Sequence, residues 1–211
     1  MTKSIDQHLP PKIKRFEDHL HGKEGQILLA TFKCIADIGI AATSTRAIAE
    51  RAGLNQGIIH YYFRSKDHLL KSVLEILFLN STSNIEAVAS SSLPPLEKLD
   101  GILQAGLSLI GRRREEFIVF VAFWGHAMSV GGDLLRLYQN LFRRFRGAFV
   151  KIIKEGENKS EFKPGMNKEM ALLIVGAVEG LGLQCVMDPK QVNLEGVTSL
   201  LRNLVQFALK R

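Results

Sequence analysis

Between Ser44 and Tyr62 the chain reads "STRAIAERAGLNQGIIHYY", and this stretch leaves little freedom. Ile48, Ala49 and Ala52 recur at helical spacing and stop at Gly53, while Asn55 can cap a second helix that reaches only to Tyr62. Helices this short are marginal in water by themselves. They must pack across one tight turn, and Ala47, Ala49 and Ala52 are small enough to let the second helix cross the first closely. Gly53 permits the left-handed turn residue and Leu54 can plug the junction from inside. The stretch is built as a helix-turn-helix.

The flanking sequence is helical too. Residues 1–22, with Pro10-Pro11 followed by Lys12, Lys14 and Arg15, read as a flexible basic arm. From Lys23, Ile27, Leu28, Ala30, Thr31, Phe32, Ile35, Ala36 and Ile38 keep the 3.6-residue period until Gly39, which stops the helix. Ser65 caps a long fourth helix with Leu69, Leu70, Val73, Leu74, Ile76 and Leu77 inward. Ser81 to Ser92 reads as a softer, serine-rich stretch, and Pro94-Pro95 breaks the chain. Further helices are expected near 96–112, 115–129, 132–157, 167–187 and 193–210, separated by Gly131-Gly132, Lys163-Pro164-Gly165 and Asp188-Pro189. No strand-like alternation of any length occurs. The fold expected is all-α, of about nine helices: a three-helix head over 23–68 and a six-helix body over 69–211 for effector binding and dimerisation.

Composition narrows the partners. The chain has 28 Lys and Arg against 21 Asp and Glu, a net charge of +7 that suits a polyanion. The front third is only modestly basic, so charge alone decides little. Cys34 and Cys185 are far apart and lack metal-site spacing; they read as small buried hydrophobes of a reducing cytosol. The N-terminus has no apolar signal-peptide core. The apolar run from Met170 to Met187 carries Glu179 and three glycines, which favours a buried or dimerising helix over a membrane span. There is no nucleophile–base–orienter set, no Glu-x-x-His and no phosphate loop, so no enzyme, cofactor or metal is expected.

In the short second helix of the motif, Ile58 or Ile59 anchors to the core while Gln56, His60 and Tyr61 project outward. Gly57 costs about 1 kcal/mol of helix propensity relative to Ala, a cost that fits close approach of backbone to a phosphate or base edge. Helix starts favour anions, and three lie together: Thr43-Ser44-Thr45, Asn55-Gln56 and Ser65-Lys66, with Arg46 and Lys66 adding cations. Tyr61 stands between groove contact and plain surface. Tyr62 and Phe63 have a core reading as well, Phe63 above all.

The words "TSTRAIAERAGL", "GIIHYYF" and "SKDHLL", preceded by "FKCIADIGI", resemble the DNA-binding head of the tetracycline-repressor (TetR) family over residues 23 to about 72. The "GII..YF" wording is most like the BetI-type subgroup. The resemblance implies a dimeric repressor in which Thr43, Thr45, Arg46, Gln56, Gly57, Tyr62 and Lys66 lie at or near double-stranded DNA. The chain departs at His60, where many members carry tyrosine. A backbone contact made by that tyrosine is then lost, or replaced by a shorter, pH-sensitive one.

In the body, "EEFIVFVAFWGHAMSV" crowds aromatics onto one helix. Core filling accounts for them. So does an effector pocket that Phe120, Phe123 and Trp124 line, with His126, Tyr138 and Glu179 as polar anchors. The resemblance implies an inducer pocket here, and ring faces with a carboxylate would suit a cation such as a quaternary ammonium. Arg112-Arg113-Arg114 and Arg143-Arg144-Arg146 read as solvated faces, with an acidic effector at Arg143 or Arg146 as the other account. The last two helices read as a subunit interface: Gly176 and Gly180 let helices approach closely, and Val197, Leu200, Leu201, Leu204, Val205 and Ala208 share a stripe. A homodimer reading a palindrome and released by a small molecule is the function expected. The competing account is a helical interaction module that never touches DNA.

Overall fold

Helix ends are set locally by capping groups, and the observed elements follow the punctuation of the sequence closely. The structure, a computed structural model, describes residues 16–211, apart from the side chains at 80, 108 and 109. Among these residues it has nine α-helices: α1 (Gly22–Ala42), α2 (Thr45–Ala52), α3 (Gln56–Tyr62), α4 (Lys66–Ala89), α5 (Pro95–Arg112), α6 (Arg114–Val130), α7 (Gly132–Asn158), α8 (Asn167–Met187) and α9 (Leu194–Leu209). The described residues contain no strand, only an isolated bridge between Phe162 and Lys210. The all-α expectation holds.

Three boundaries differ from expectation for physical reasons. The basic arm expected at residues 1–22 lies outside the described residues up to 15. Its last part is ordered: Phe16–His19 form a 3-10 turn, and Phe16 is buried with its ring 4.6 Å from that of Phe32. Gly39 does interrupt α1, at φ 75° and ψ 167°, but one more turn follows to Ala42 with Ile40 buried. The serine-rich stretch from Ser81 is helical as far as Ala89, because Thr82, Val88 and Ala89 are buried and burial overrides the weak propensity of serine.

The chain divides into two compact units. One comprises residues 16–81 and Glu115–Asn140, so the helix-turn-helix shares it with the first part of α4, α6 and the start of α7. Ile27, Ile35, Ile48, Ile59, Phe63, Leu69, Leu70 and Leu74 are buried in it, and Lys33 reaches Glu115 at 2.6 Å. The other comprises Thr82–Arg114 and Leu141–Arg211. Its core joins Leu99, Ile102 and Leu103 of α5 with Phe149, Ile152 and Ile153 of α7, Ala171, Ile174 and Val175 of α8 and Val205 and Leu209 of α9. Lys98, 2% exposed, is paired with Glu155 at 2.6 Å, which offsets the cost of taking its charge out of water. α8 is long and apolar enough to cross a membrane by length and composition, yet it supplies Met170, Ala171, Ile174 and Val175 to this core.

Candidate nucleic-acid interface

Helices α2, α3 and α4 each start on a side-chain cap. Ser44 Oγ accepts the Ala47 N–H at 3.1 Å, Asn55 Oδ1 accepts that of Ile58 at 3.0 Å, and Ser65 Oγ accepts that of His68 at 3.1 Å. Between α2 and α3, Gly53 adopts φ 64° and ψ 31°, with its N–H turned back to the carbonyls of Ala49 and Glu50. A side chain there would meet the left-handed penalty. From α1, Gln26 donates to the Ala52 carbonyl at 2.7 Å and closes the end of α2.

α3 then turns one face in and one face out. Ile59 and Phe63, four residues apart, are buried. Gln56 and His60 form one exposed row and Gly57 and Tyr61 another, with Tyr61 83% exposed. Tyr62 is 36% exposed, and its ring meets that of Tyr61 edge to face at 5.2 Å. Arg46, at the start of α2, is exposed. Arg64, between α3 and α4, is exposed as well, and sequence reasoning did not single it out; its place between two capped helices is the signal that could have found it.

Several expected contact residues do structural work. Thr43 is fully buried, and its hydroxyl donates to the Gly39 carbonyl at 2.7 Å. The side chain holds the turn after α1. Asn55 is exposed but its oxygen is engaged as the cap of α3. Thr45 is half-buried, and its hydroxyl accepts a hydrogen bond from the Gln56 amide at 2.8 Å. Lys66 is half-buried and donates to the Ile40 carbonyl at 3.2 Å. Gly57 has a second reason to be glycine: a Cβ there would stand 3.2 Å from the capping oxygen of Asn55.

The residues expected to line an effector pocket fall in both compact units. Phe120, Phe123, Trp124, His126 and Tyr138 belong to the compact unit of the helix-turn-helix, whereas Glu179 belongs to the other. Rings of Phe78, Phe120 and Tyr138 lie within 4.9–6.1 Å of one another, and Trp124 is 6.4 Å from Phe120. Phe123 is completely buried, and Tyr138 is 2% exposed with its hydroxyl donating to the Phe120 carbonyl. Both are packed within this unit. Phe120, Trp124 and His126 are half-buried. Glu179 keeps one carboxylate oxygen buried and without a partner among the described residues, and burial pushes its pKa up to about 7 against the pull of Arg146. A groove of about 590 Å³ opens elsewhere in its unit, lined among others by Gln104, Arg112, Thr198 and Arg202. Of the arginine clusters, Arg114 donates to the Val186 carbonyl at 3.0 Å and Arg144 forks onto Glu86 with two 2.7 Å bonds.

On α8, Leu172, Leu173, Gly176, Gly180, Leu183 and Met187 are exposed along one face; on α9, Leu200, Leu204 and Phe207 are. The expected α9 stripe divides. Leu200 and Leu204 stay on the surface, while Leu201, Val205 and Ala208 join the core.

Comparison with known proteins supplies the family. Residues 27–73 match "Bacterial regulatory proteins, tetR family", and residues 95–210 match "BetI-type transcriptional repressor, C-terminal". The transcriptional regulator PksA of Bacillus subtilis is 26% identical over 185 residues, spanning 86% of this chain and 87% of its own. The regulator BetI of Yersinia pestis is 26% identical over 190 residues, 87% of this chain and 91% of its own. Among solved structures, a regulator from Saccharomonospora viridis in complex with choline superposes with a TM-score of 0.79 at 20% identity, covering 89% of this chain and 97% of that one. The complex of SmeT with triclosan does so at 0.79 and 18%, covering 90% and 93%. These relatives are regulators, not enzymes. The chain belongs to the TetR family of bacterial transcriptional regulators, with that family's helix-turn-helix DNA-binding head and a C-terminal part of the BetI-type repressor kind.

Proposed function

We propose that the protein is a cytoplasmic repressor that binds a palindromic operator as a homodimer and leaves it when a small molecule enters the body. The observation that carries this reading is the pairing of two unsatisfied surfaces. α3 exposes Gln56, His60 and Tyr61 beyond a turn that Gly53, Gln26 and three caps hold in shape. α8 and α9 expose an apolar face far larger than isolated surface leucines would need, with Met187 at 76% and Phe207 at 83%. Gly176 and Gly180 sit within that face, and a Cβ at either meets none of the described residues within 4 Å. Glycine in a helix interior costs about 1 kcal/mol against alanine, and nothing among the described residues compensates it. Close packing of a second copy does, as a two-fold bundle of α8 and α9 from each subunit. Two α3 helices about 34–36 Å apart would then meet successive major-groove turns of one duplex.

A body that takes a small molecule accords with the choline and triclosan complexes of the similar structures. Those two ligands differ in charge, so the fold leaves the effector class open; the ring cluster of Phe120, Trp124 and Phe117 suits an apolar or cationic one. Ligand binding relieves repression only to the extent that the ligand prefers the conformation that DNA does not. The test titrates choline, triclosan and a broad panel of small cations and acids into the protein–operator complex and follows its anisotropy. Saturable release by one compound is expected. Retention of the complex across the panel would contradict the ligand-released reading.

A further inference from the structure

Gln56 is the first residue of α3 and Thr45 the first of α2, eleven positions apart in the chain, yet the Gln56 carboxamide donates to the Thr45 hydroxyl at 2.8 Å. Both ends of that bond stand on fixed backbone, since Ser44 caps α2 and Asn55 caps α3. We infer that Thr45 is a positioning residue for base reading: it holds the Gln56 side chain in the orientation that faces one base pair of each half-site. The inference rests on the proposed reading of α3 as the groove helix.

The physical reason is preorganisation. A surface glutamine has three rotors, and freezing them on contact with DNA opposes binding. Anchored through one amide hydrogen, Gln56 keeps its carbonyl oxygen and its second amide hydrogen for the groove, in a plane already set. A carboxamide of fixed plane distinguishes base edges by their donor and acceptor pattern, whereas a rotating one accommodates several. Thr45 suits the task because a hydroxyl accepts at short range and its β-branch restricts its own rotamer. Thr45 is itself half-buried at the start of α2.

The test uses the full chain and a pool of duplexes with a randomised centre. Bound sequences are selected at fixed salt, and affinities are then measured for the selected duplex and its single-base variants. Thr45→Val removes the hydroxyl and keeps the shape, Thr45→Ala serves if valine perturbs α2, and Thr45→Ser keeps the hydroxyl. The expected result is a loss of discrimination of about two- to tenfold, the range of one neutral hydrogen bond, at the same base pair that Gln56→Ala affects. Discrimination elsewhere and the salt slope stay unchanged, serine restores the preference, and the double variant is no worse than Gln56→Ala alone. A uniform loss on all duplexes with a shallower salt slope would make Thr45 a phosphate contact and overturn the inference. An unaltered preference profile would overturn it as well. If the wild-type chain selects nothing from the pool, the DNA-reading proposal fails first and takes this inference with it.

Discussion

Arg46 and Lys66 both sit just inside helix starts, but the chain holds them differently. Arg46 is exposed, and Lys66 already donates to the Ile40 carbonyl. Arg46→Ala should therefore act on DNA alone: binding to every duplex weakens, and the dependence of log affinity on log salt becomes shallower by about one unit. Titrations at several salt concentrations check this, and an unchanged slope removes Arg46 from the phosphates. Glu179 gives a prediction of another kind. Its pKa rises from the ordinary 4.5 to about 7, chiefly because burial disfavours its charge. Between those values the folded chain holds a proton that the unfolded chain has released, so stability falls as pH rises through that window and levels off above it. Glu179→Gln should remove this slope, melting above the wild type near pH ~8 and close to it near pH ~5. Parallel melting curves at both pH values would contradict the placement of the carboxyl.

At the scale of the element, the turn between α2 and α3 is the joint that sets the direction of α3, the proposed reading helix. Gly53 sits at φ 64°, so Gly53→Ala should cost about 1–2 kcal/mol of unfolding free energy in a urea titration, and DNA affinity should fall with it. A cost near zero would show that the turn has room for a side chain. This joint was legible in the sequence because its determinants are local. Ser44, Gly53, Asn55 and Ser65 act within a few residues of where they stand, and all four occupy the expected places. What escaped is set by neighbours remote in sequence. The sequence does not show that the Thr43 hydroxyl is engaged by the Gly39 carbonyl. The stretch after Ser81 reads as soft until the burial of Thr82, Val88 and Ala89 holds it helical. The Gln56–Thr45 bond links two helix starts whose approach only the folded turn defines. Likewise the apolar residues of α9 share a period, and only packing separates Leu201 and Val205 inside from Leu204 and Phe207 outside.

For the molecule as a whole, the account stands or falls on two chains acting on one duplex. One short reading helix per subunit would give weak, non-specific affinity, and the proposed joining of two through α8 and α9 would raise the effective concentration of the second. Gly180→Leu adds bulk where the described residues leave open space, so it should leave the subunit folded while separating the proposed pair. The decisive measurement is analytical ultracentrifugation of a labelled palindromic duplex selected by the protein, against a duplex carrying one half-site, with wild type and Gly180→Leu. The account predicts two chains per palindrome, affinity lower by about 10²-fold or more on the half-site, and the same loss for Gly180→Leu on the palindrome. One chain per palindrome, with equal affinity for both duplexes and no effect of Gly180→Leu, would contradict it.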